Sequence, residues 1–284
     1  MPSPLIWKPD MATKTLSRAS KPVPDVASVP AGGTGAEVEV ETGTEAGTGP
    51  GTDAGAAAPG RVKMIRSQKL RFPIDRAVLR PRIRKSLRAN GYERKETDAV
   101  LRIVKPTDTV IELGAGIGYM STLMAVRCGA TVHAFEGNPG LIDYIRRVHA
   151  ANGATRATVH HALIGAQAGE VDFYVRKNIL ASSMTPLADK PHLAVEKVET
   201  RAAHAVFDAL RPTVLVCDIE GAEAHLIPLL PLEGLRAAVI ELHPQWIGQA
   251  GVKTVFDAFA AAGLTYCPQA SEAKVVTFLR GPAG

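Results

Sequence analysis

The sequence has 284 residues, of which 46% are hydrophobic and 21% charged, and its formal net charge is +5. No apolar run approaches the length of a membrane span, and no signal-peptide core is present. Cys128, Cys217 and Cys267 are scattered without C-x-x-C spacing. They exclude a disulfide or zinc framework and are typical of a reduced, cytoplasmic protein with an apolar core.

Residues 1–60 differ in composition from the rest of the chain. Prolines lead into the glycine- and alanine-rich stretch 31–60, which contains no aromatic residue. Such a segment cannot bury enough apolar surface to offset its ordering entropy, so a disordered tail is predicted. The sequence then predicts a basic, mainly helical cap over 61–105 and a separate α/β domain over 106–284.

The 61–105 segment carries fifteen basic and four acidic residues, a balance of +11 that exceeds the charge of the whole chain. Three interpretations stay open for it. It could be a nucleic-acid-binding arm, the solvated face of helices that cap a sheet, or a site for an anionic acceptor such as a phosphorylated sugar. Phe72 and Tyr92 are its only aromatic residues, which gives no visible platform for stacking bases.

The stretch 109–138, TVIELGAGIGYMSTLMAVRCGATVHAFEGN, predicts a strand, a glycine turn, a helix and a second strand. Gly114, Gly116 and Gly118 follow the first strand, and Glu136 ends the second. This is the layout of a nucleotide-binding half of a doubly wound sheet, in which glycines let the backbone approach a ligand. Glu136 stands where an acid accepts the two hydroxyls of a ribose.

The form of the glycine motif indicates which nucleoside it binds. A dinucleotide site needs a third glycine at position 119, where this chain has Tyr119. Glu112, near the end of the first strand, would also repel a pyrophosphate. S-adenosylmethionine has no phosphate and carries an ammonium and a sulfonium group, which this acid suits. The motif therefore predicts S-adenosylmethionine as the cofactor, with Glu112 among its binding residues.

Strand and helix patterns alternate along the chain, which predicts an α/β fold with a doubly wound, mostly parallel, seven-stranded Rossmann-like sheet. Tyr92–Val104 has helical spacing, with Val100, Leu101 and Val104 facing inward. Other predicted elements are a helix from Pro139 to His149, a strand over Ala157–Gly165, an antiparallel strand over Gly169–Arg176, a loop over 179–191, helices over 203–210, 221–230 and 252–262, and an antiparallel pair over 264–267 and 274–279.

Polar groups follow two buried strands, Thr213–Glu220 and Ala237–Leu242. Asp218, Glu220 and His243 stand at their carboxyl ends, the edge at which ligands bind in open α/β sheets. They are the candidate catalytic residues. An alcohol must lose its proton as it attacks a methyl group, and either His243 or Asp218 is the predicted base.

Two further polar features carry less information. His160 and His161 lack a third ligand at metal-site spacing, and a magnesium site would need another oxygen ligand, so no metal is predicted. Glu223 lies one helical turn beyond Glu220. It either joins the site or binds the first-turn amides of its own helix.

Five segments carry a resemblance to a known family: VIELGAGIGY (110–119), AFEGNP (134–139), GEVDF (169–173), DIEGAE (218–223) and IELHP (240–244). Together they resemble the FkbM-type S-adenosylmethionine methyltransferases, from Tyr92 to the C-terminus. The resemblance implies a class I methyltransferase fold and O-methylation of a sugar, glycan or secondary metabolite. It also implies that Gly114, Gly116, Gly118 and Glu136 hold the cofactor and that Ser182 and Ser183 lie near the acceptor.

The chain departs from the family pattern where Val216 replaces a frequent Lys and His161 a frequent Asn, which makes His161 the candidate contact for adenine. Two other functions stay open. The basic segment favours nucleic-acid methylation, but the Asn/Asp-Pro-Pro-Tyr/Phe motif and the Pro-Cys nucleophile are absent from the sequence. The second open function is that of a cofactor-binding subunit without catalytic activity. The presence of Asp218, Glu220 and His243 argues against it.

Overall fold

Strands and helices alternate in the computed structural model, which describes residues 62–176 and 192–281. The strands are β1 (Met64–Ser67), β2 (Leu70–Pro73), β3 (Thr109–Leu113), β4 (Thr131–Glu136), β5 (Ala157–His161), β6 (Leu163–Gly165), β7 (Gly169–Arg176), β8 (His192–Ala202), β9 (Val214–Cys217), β10 (Ala237–Glu241), β11 (Leu264–Tyr266) and β12 (Val275–Arg280). The helices are α1 (Pro81–Arg88), α2 (Arg94–Ile103), α3 (Tyr119–Leu123), α4 (Pro139–Asn152), α5 (Ala203–Leu210), α6 (Glu223–Leu226) and α7 (Pro244–Ala261).

Seven strands form the central sheet in the order β11-β12-β10-β9-β3-β4-β5. The five strands from β10 to β5 run parallel, and β12 pairs antiparallel with both β10 and β11. From β3 the chain builds outward through β4 and β5, then returns to the other side of β3 with β9. The predicted doubly wound, mostly parallel sheet is confirmed, and its switch point lies between β3 and β9.

Alternate residues of the central strands feed two apolar layers. Val110 and Val214 belong to the core on one face of the sheet, while Ile111, Leu215 and Ile240 belong to the core on the other. All of them are buried. Because both faces of the sheet are covered, the sequences of these strands are nearly continuous apolar runs rather than alternating patterns. These runs predicted the strands.

The predicted third strand, Ala157–Gly165, is wrong in extent. It divides into β5, which joins the central sheet, and β6, which pairs with β8 in a separate three-stranded sheet of order β6-β8-β7. No glycine or proline separates the two pieces in the sequence, so no turn signal marked the division. The antiparallel strand predicted over Gly169–Arg176 is confirmed as β7, paired with β8.

The basic segment opens with a β-hairpin that the helical prediction missed. β1 and β2 pair antiparallel around Gln68 and Lys69, both with positive φ. Hairpin turns of this kind usually carry Asn-Gly or Asp-Gly, so Gln-Lys gave no signal. In α2, Val100 is buried as predicted, but Leu101 is exposed, so its inward assignment was wrong. The buried face of that helix runs through Thr97, Val100 and Ile103 instead.

The later elements follow the predictions with shifted ends. α5 has the predicted bounds, and β11 and β12 form the predicted antiparallel pair. α7 begins at Pro244 and is kinked at Gly248 (φ 64°, ψ −179°), whereas the sequence placed its start at 252. Residues 1–60 and the 179–191 loop with Ser182 and Ser183 lie outside the described residues. Across 62–176 and 192–281, none of the helices combines the length and apolarity needed to cross a membrane.

Candidate functional site

The glycine turn joins β3 to α3 at the switch point. A Cβ on Gly114 (φ +85°) would lie 1.9 Å from the carbonyl oxygen of Asp218. A Cβ on Gly118 (φ +71°) would lie 2.9 Å from the side chain of Ile145 in α4. These glycines therefore let the ends of β3 and β9 meet and let the turn approach α4. Gly116 directs its N–H to the acid at the end of β4.

That acid is Glu136, which is 8% exposed. Its carboxylate accepts the backbone N–H of Gly116 at 2.8 Å and that of Asn138 at 2.7 Å. Burial raises the pKa of Glu136 to about 7, against the opposing effect of the backbone N–H donors. A carboxylate offers about four lone-pair positions. The backbone N–H groups of Gly116, Gly137 and Asn138 occupy three of them, which leaves one for a hydroxyl donor.

His161 lies opposite Glu136 in the register of β4 and β5. Its Nε2 is 3.2 Å from the carbonyl oxygen of Gly137, so the ring is held beside the same strand end. The predicted cofactor residues Gly116, Glu136 and His161 thus follow one another across the carboxyl edge of the sheet. Their contact with a cofactor stays a prediction.

A cavity lies at the same edge, on the other side of the glycine turn. It opens beside Gly114 and Met120. Five acids line it: Glu93, Glu96, Glu112, Asp218 and Glu241. Among the described residues, Lys274 and His243 are the basic side chains within 4 Å of these carboxylates. The cavity is therefore strongly acidic.

Glu112 is the most deeply buried of the lining acids, with 2% exposure. Its Oε2 has no hydrogen-bond partner within the described part of the chain. Burial, and next the charge of Glu93, raise the pKa of Glu112 well above its ordinary value, although Ser121 opposes the shift. A buried carboxylate oxygen without a partner is unfavourable unless a donor or a cation reaches it. Glu112 is thus poised for a cationic group.

Asp218 follows β9 and lines the cavity next to Gly114. Burial raises its pKa well above the ordinary value, and the negative charges of Glu241, Glu93 and Glu220 add to the shift. Its Oδ1 is buried without a hydrogen-bond partner among the described residues. Asp218 therefore shares with Glu112 the need for a positive or hydrogen-donating ligand.

His243 follows β10 and is 3% exposed. Its Nδ1 lies 2.6 Å from Glu223 Oε1, and Glu223, fully buried, also accepts the N–H of Gly221 at 3.0 Å. Nε2 faces Glu220 Oε2 at 3.5 Å, Asp218 Oδ1 at 3.7 Å and Glu241 Oε1 at 3.9 Å. The three predicted catalytic residues are thus brought together, with Glu223 fixing the imidazole.

Sequence reasoning assigned several of these residues incompletely. Glu223 was left between a site role and a capping role, and it orients His243. Glu93 and Glu96 were counted only in the charge balance of the basic segment, yet both line the cavity. Glu93 precedes α2 with a positive φ of 43°, and Glu96 lies in the first turn of that helix, so helical periodicity does not group the two. Glu241, at the end of β10, joins them in the cavity.

No protein-family model matches the sequence, and no curated protein matches it. Solved structures do. TYW2 from M. jannaschii in complex with AdoMet is 13% identical, with 80% of this chain and 90% of that chain covered at a TM-score of 0.44. Precorrin-6y C5,15-methyltransferase from Geobacter metallireducens is 13% identical (67% and 89% covered, TM-score 0.40). Ribosomal protein L11 methylase from Lactobacillus delbrueckii is 15% identical (68% and 81%, TM-score 0.39). Functional assignment rests on the residues of the site itself.

Proposed function

We propose that this protein is an S-adenosylmethionine-dependent methyltransferase and that it methylates a hydroxyl group. The cofactor would lie across the carboxyl ends of β3 and β4, at the switch point where doubly wound folds bind nucleotides. Glu136 would accept a ribose hydroxyl on its remaining lone pair, with His161 on the adenine side. Gly114, Gly116 and Gly118 would run beneath the cofactor. Its methionine end would enter the acid-lined cavity.

The observation that carries this proposal is the buried Glu112 carboxyl group, whose Oε2 has no hydrogen-bond partner among the described residues, in a cavity lined by four more acids. S-adenosylmethionine brings an ammonium and a sulfonium to such a place. A dinucleotide would bring a pyrophosphate, which these charges repel. Tyr119, at the position of the third dinucleotide glycine, is also a buried aromatic that packs against Phe72 and Tyr92. A nicotinamide cofactor therefore fits this edge poorly.

Methyl transfer to a hydroxyl is an in-line displacement. The sulfur–methyl bond breaks as the oxygen–methyl bond forms, and S-adenosylhomocysteine leaves as a neutral thioether. The hydroxyl proton passes to a base, because an alcohol is a poor nucleophile. Asp218, Glu220 and His243 stand where the cavity meets the acceptor side, and each has a group that can take this proton. Much of the acceleration would come from holding the two reactants in line.

The acceptor class rests on the resemblance to FkbM-type methyltransferases. DIEGAE (218–223) and IELHP (240–244) contribute Asp218, Glu223, Glu241 and His243, the groups gathered around the end of the cavity. That resemblance supports a hydroxyl on a sugar, glycan or secondary metabolite. Membership of the family stays a prediction.

Which kind of atom receives the methyl group is tested with S-adenosylmethionine labelled at its methyl carbon with ¹³C. The protein is incubated with neutral sugars, glycans and hydroxylated metabolites, and with amines of matched size as controls, and the products are observed by carbon NMR. We expect a new methyl ether signal that disappears in the Asp218→Asn variant. Methyl groups found on nitrogen or carbon alone would contradict O-methylation, and transfer unaffected by Asp218→Asn would contradict the placement of the acceptor.

A further inference from the structure

We propose that Asp218, Glu241 and His243 bind a divalent metal cation at the carboxyl edge of β9 and β10. One ligand atom from each of the three residues lies within 4.8 Å of the others. The residues come from two neighbouring parallel strands, so their positions are fixed by the sheet. Two carboxylates and one imidazole are a common donor set for divalent cations in proteins.

The geometry around His243 is the first evidence. Its Nε2 is 3.7 Å from Asp218 Oδ1 and 3.9 Å from Glu241 Oε1. Both separations exceed the roughly 2.7–3.2 Å of an N–H···O hydrogen bond. They match neighbouring ligands on one cation, since metal–ligand distances of about 2.0–2.2 Å place such ligands roughly 3–4 Å apart. The three atoms thus surround a space of the size that a cation fills.

The burial and orientation of His243 are the second, independent evidence. The side chain is 3% exposed, and Glu223 holds Nδ1 at 2.6 Å. An imidazole whose Nδ1–H donates to a buried carboxylate presents the Nε2 lone pair on its opposite side. Here that lone pair faces only oxygens that are themselves acceptors. A carboxylate behind a metal-binding histidine is a frequent supporting arrangement.

The acidic lining of the cavity also favours a cation. Asp218 Oδ1 is buried and without a hydrogen-bond partner among the described residues. Five acids line the cavity, and the ammonium of Lys274 lies 2.5 Å from one of them, at Glu241 Oε1. Lys274 is half exposed, so its ammonium can turn away to solvent. It is a competitor for Glu241 rather than a neutralising group for the whole cluster.

The donor set selects the kind of cation. Carboxylate oxygens suit Mg²⁺, Ca²⁺ and Mn²⁺, whereas an imidazole nitrogen favours ions such as Fe²⁺ or Zn²⁺. Asp218 and Glu241 are partly exposed, which leaves coordination positions for water or for an acceptor oxygen. Mn²⁺ is therefore the appropriate probe.

The binding of the cation does not depend on the proposed methyl transfer, but its consequence for the chemistry does. A bound cation lowers the pKa of an oxygen it contacts. With Nε2 held by the cation, His243 would not be the base. The hydroxyl proton would pass to the half-exposed Glu220 carboxylate, 3.5 Å from Nε2, as the oxygen takes the methyl group. This assigns one role to each of the three candidate catalytic residues.

The proposal is tested by titrating the chelator-treated full chain with Mn²⁺ alone, by calorimetry and by electron paramagnetic resonance. We expect one site and, in the pulsed spectrum, a ¹⁴N coupling from the imidazole. Asp218→Asn and Glu223→Gln should weaken binding about tenfold to a hundredfold. The control Asp143→Asn changes a carboxylate that is 89% exposed on α4 and should leave binding unchanged.

The Lys274→Met variant distinguishes loss of the metal site from loss of folding. Because it removes the competitor for Glu241, it should tighten Mn²⁺ binding, and a misfolded variant could not do so. Failure of the wild-type chain to bind one equivalent, absence of ¹⁴N coupling, or weaker binding in Lys274→Met would each overturn the proposal. His243 would then be an imidazolium paired with the acids around it. Since no S-adenosylmethionine is added, these outcomes leave the proposed cofactor site untouched.

Discussion

The surface of residues 62–105 is basic, whereas the cavity at the sheet edge is acidic, although the same segment supplies two of the cavity's acids. The hairpin and helices of residues 62–105 turn their basic side chains outward, with Arg66, Arg71, Lys85 and Arg88 all exposed. The cavity at the carboxyl edge of the sheet is lined by acids, and two of these come from the same segment. The segment is thus basic on its surface and acidic where it meets the sheet.

The difference teaches that a charge sum along the chain does not predict the charge at a site. Of the segment's four acids, Asp75 pairs with Arg147 and Asp98 with Arg94, while Glu93 lines the cavity together with Glu96. The solvated-face interpretation of the basic segment therefore fits the structure. An anionic acceptor or a nucleic-acid strand would meet repulsion in the cavity, which disfavours both interpretations at this edge.

The largest effect is expected at Gly114, where β3 and β9 meet. Gly114→Ala would place a Cβ 1.9 Å from the Asp218 carbonyl oxygen and force a side chain onto a positive φ. The free energy of unfolding should fall by about 2–4 kcal/mol. S-adenosylmethionine affinity should fall with it, because Asp218 has to move. Denaturant unfolding and calorimetry measure the two effects.

Gly153→Ala is the matched control for that change. Gly153 has a similar positive φ of +62°, at the end of α4, and a Cβ there would meet nothing within 4 Å. Only backbone strain of about 1–2 kcal/mol is expected, with unchanged cofactor affinity. Equal effects of the two substitutions on cofactor binding would mean that the contact between Gly114 and Asp218 has no part in shaping the site.

The smallest effect is expected on the basic surface. Changing Arg82, Lys85 and Arg88 of α1 to Gln removes three exposed positive charges without touching the cavity. The free energy of unfolding should change by about 0.5 kcal/mol or less per site, and cofactor affinity should not change. Binding to a 20-nucleotide RNA is the second readout. Tight, steeply salt-dependent RNA binding that the triple variant loses would favour the nucleic-acid function instead.

The parts of the site that the sequence predicted are those formed by residues close together in the chain. The glycine turn and Glu136 belong to one strand–helix–strand unit, and Gly116 donates to Glu136 as that unit dictates. Glu223 and His243 are twenty residues apart and lie in different elements, and no periodicity of the sequence predicts their contact. It follows only from the parallel pairing of β9 and β10.

The remaining differences have local physical causes. Gln68 and Lys69 form the hairpin turn with positive φ, although neither is a residue type that favours it. The sequence therefore contains no turn signal, and β1 and β2 were not predicted in this basic segment. The division of the third strand after His161 reflects a change of pairing partner from β4 to β8. Such a change depends on which strands are nearby in space, and a single sequence does not record that.

The central claim, that this edge binds S-adenosylmethionine through Glu136 and the acid-lined cavity, is tested most directly by calorimetric titration. Wild-type protein and the Glu136→Gln variant are titrated with S-adenosylmethionine and with NAD at pH 6 and pH 8. Because burial raises the pKa of Glu136 to about 7, the free carboxyl is protonated at pH 6 and ionised at pH 8. Ribose hydroxyls donate best to the ionised form, so wild-type affinity should rise with pH.

We predict that S-adenosylmethionine binds, that NAD does not, and that Glu136→Gln weakens binding at pH 8 by roughly 1–3 kcal/mol. The pH dependence between 6 and 8 should be flatter in the variant than in the wild type. Tight binding of NAD, or S-adenosylmethionine affinity that Glu136→Gln leaves unchanged at pH 8, would contradict the account.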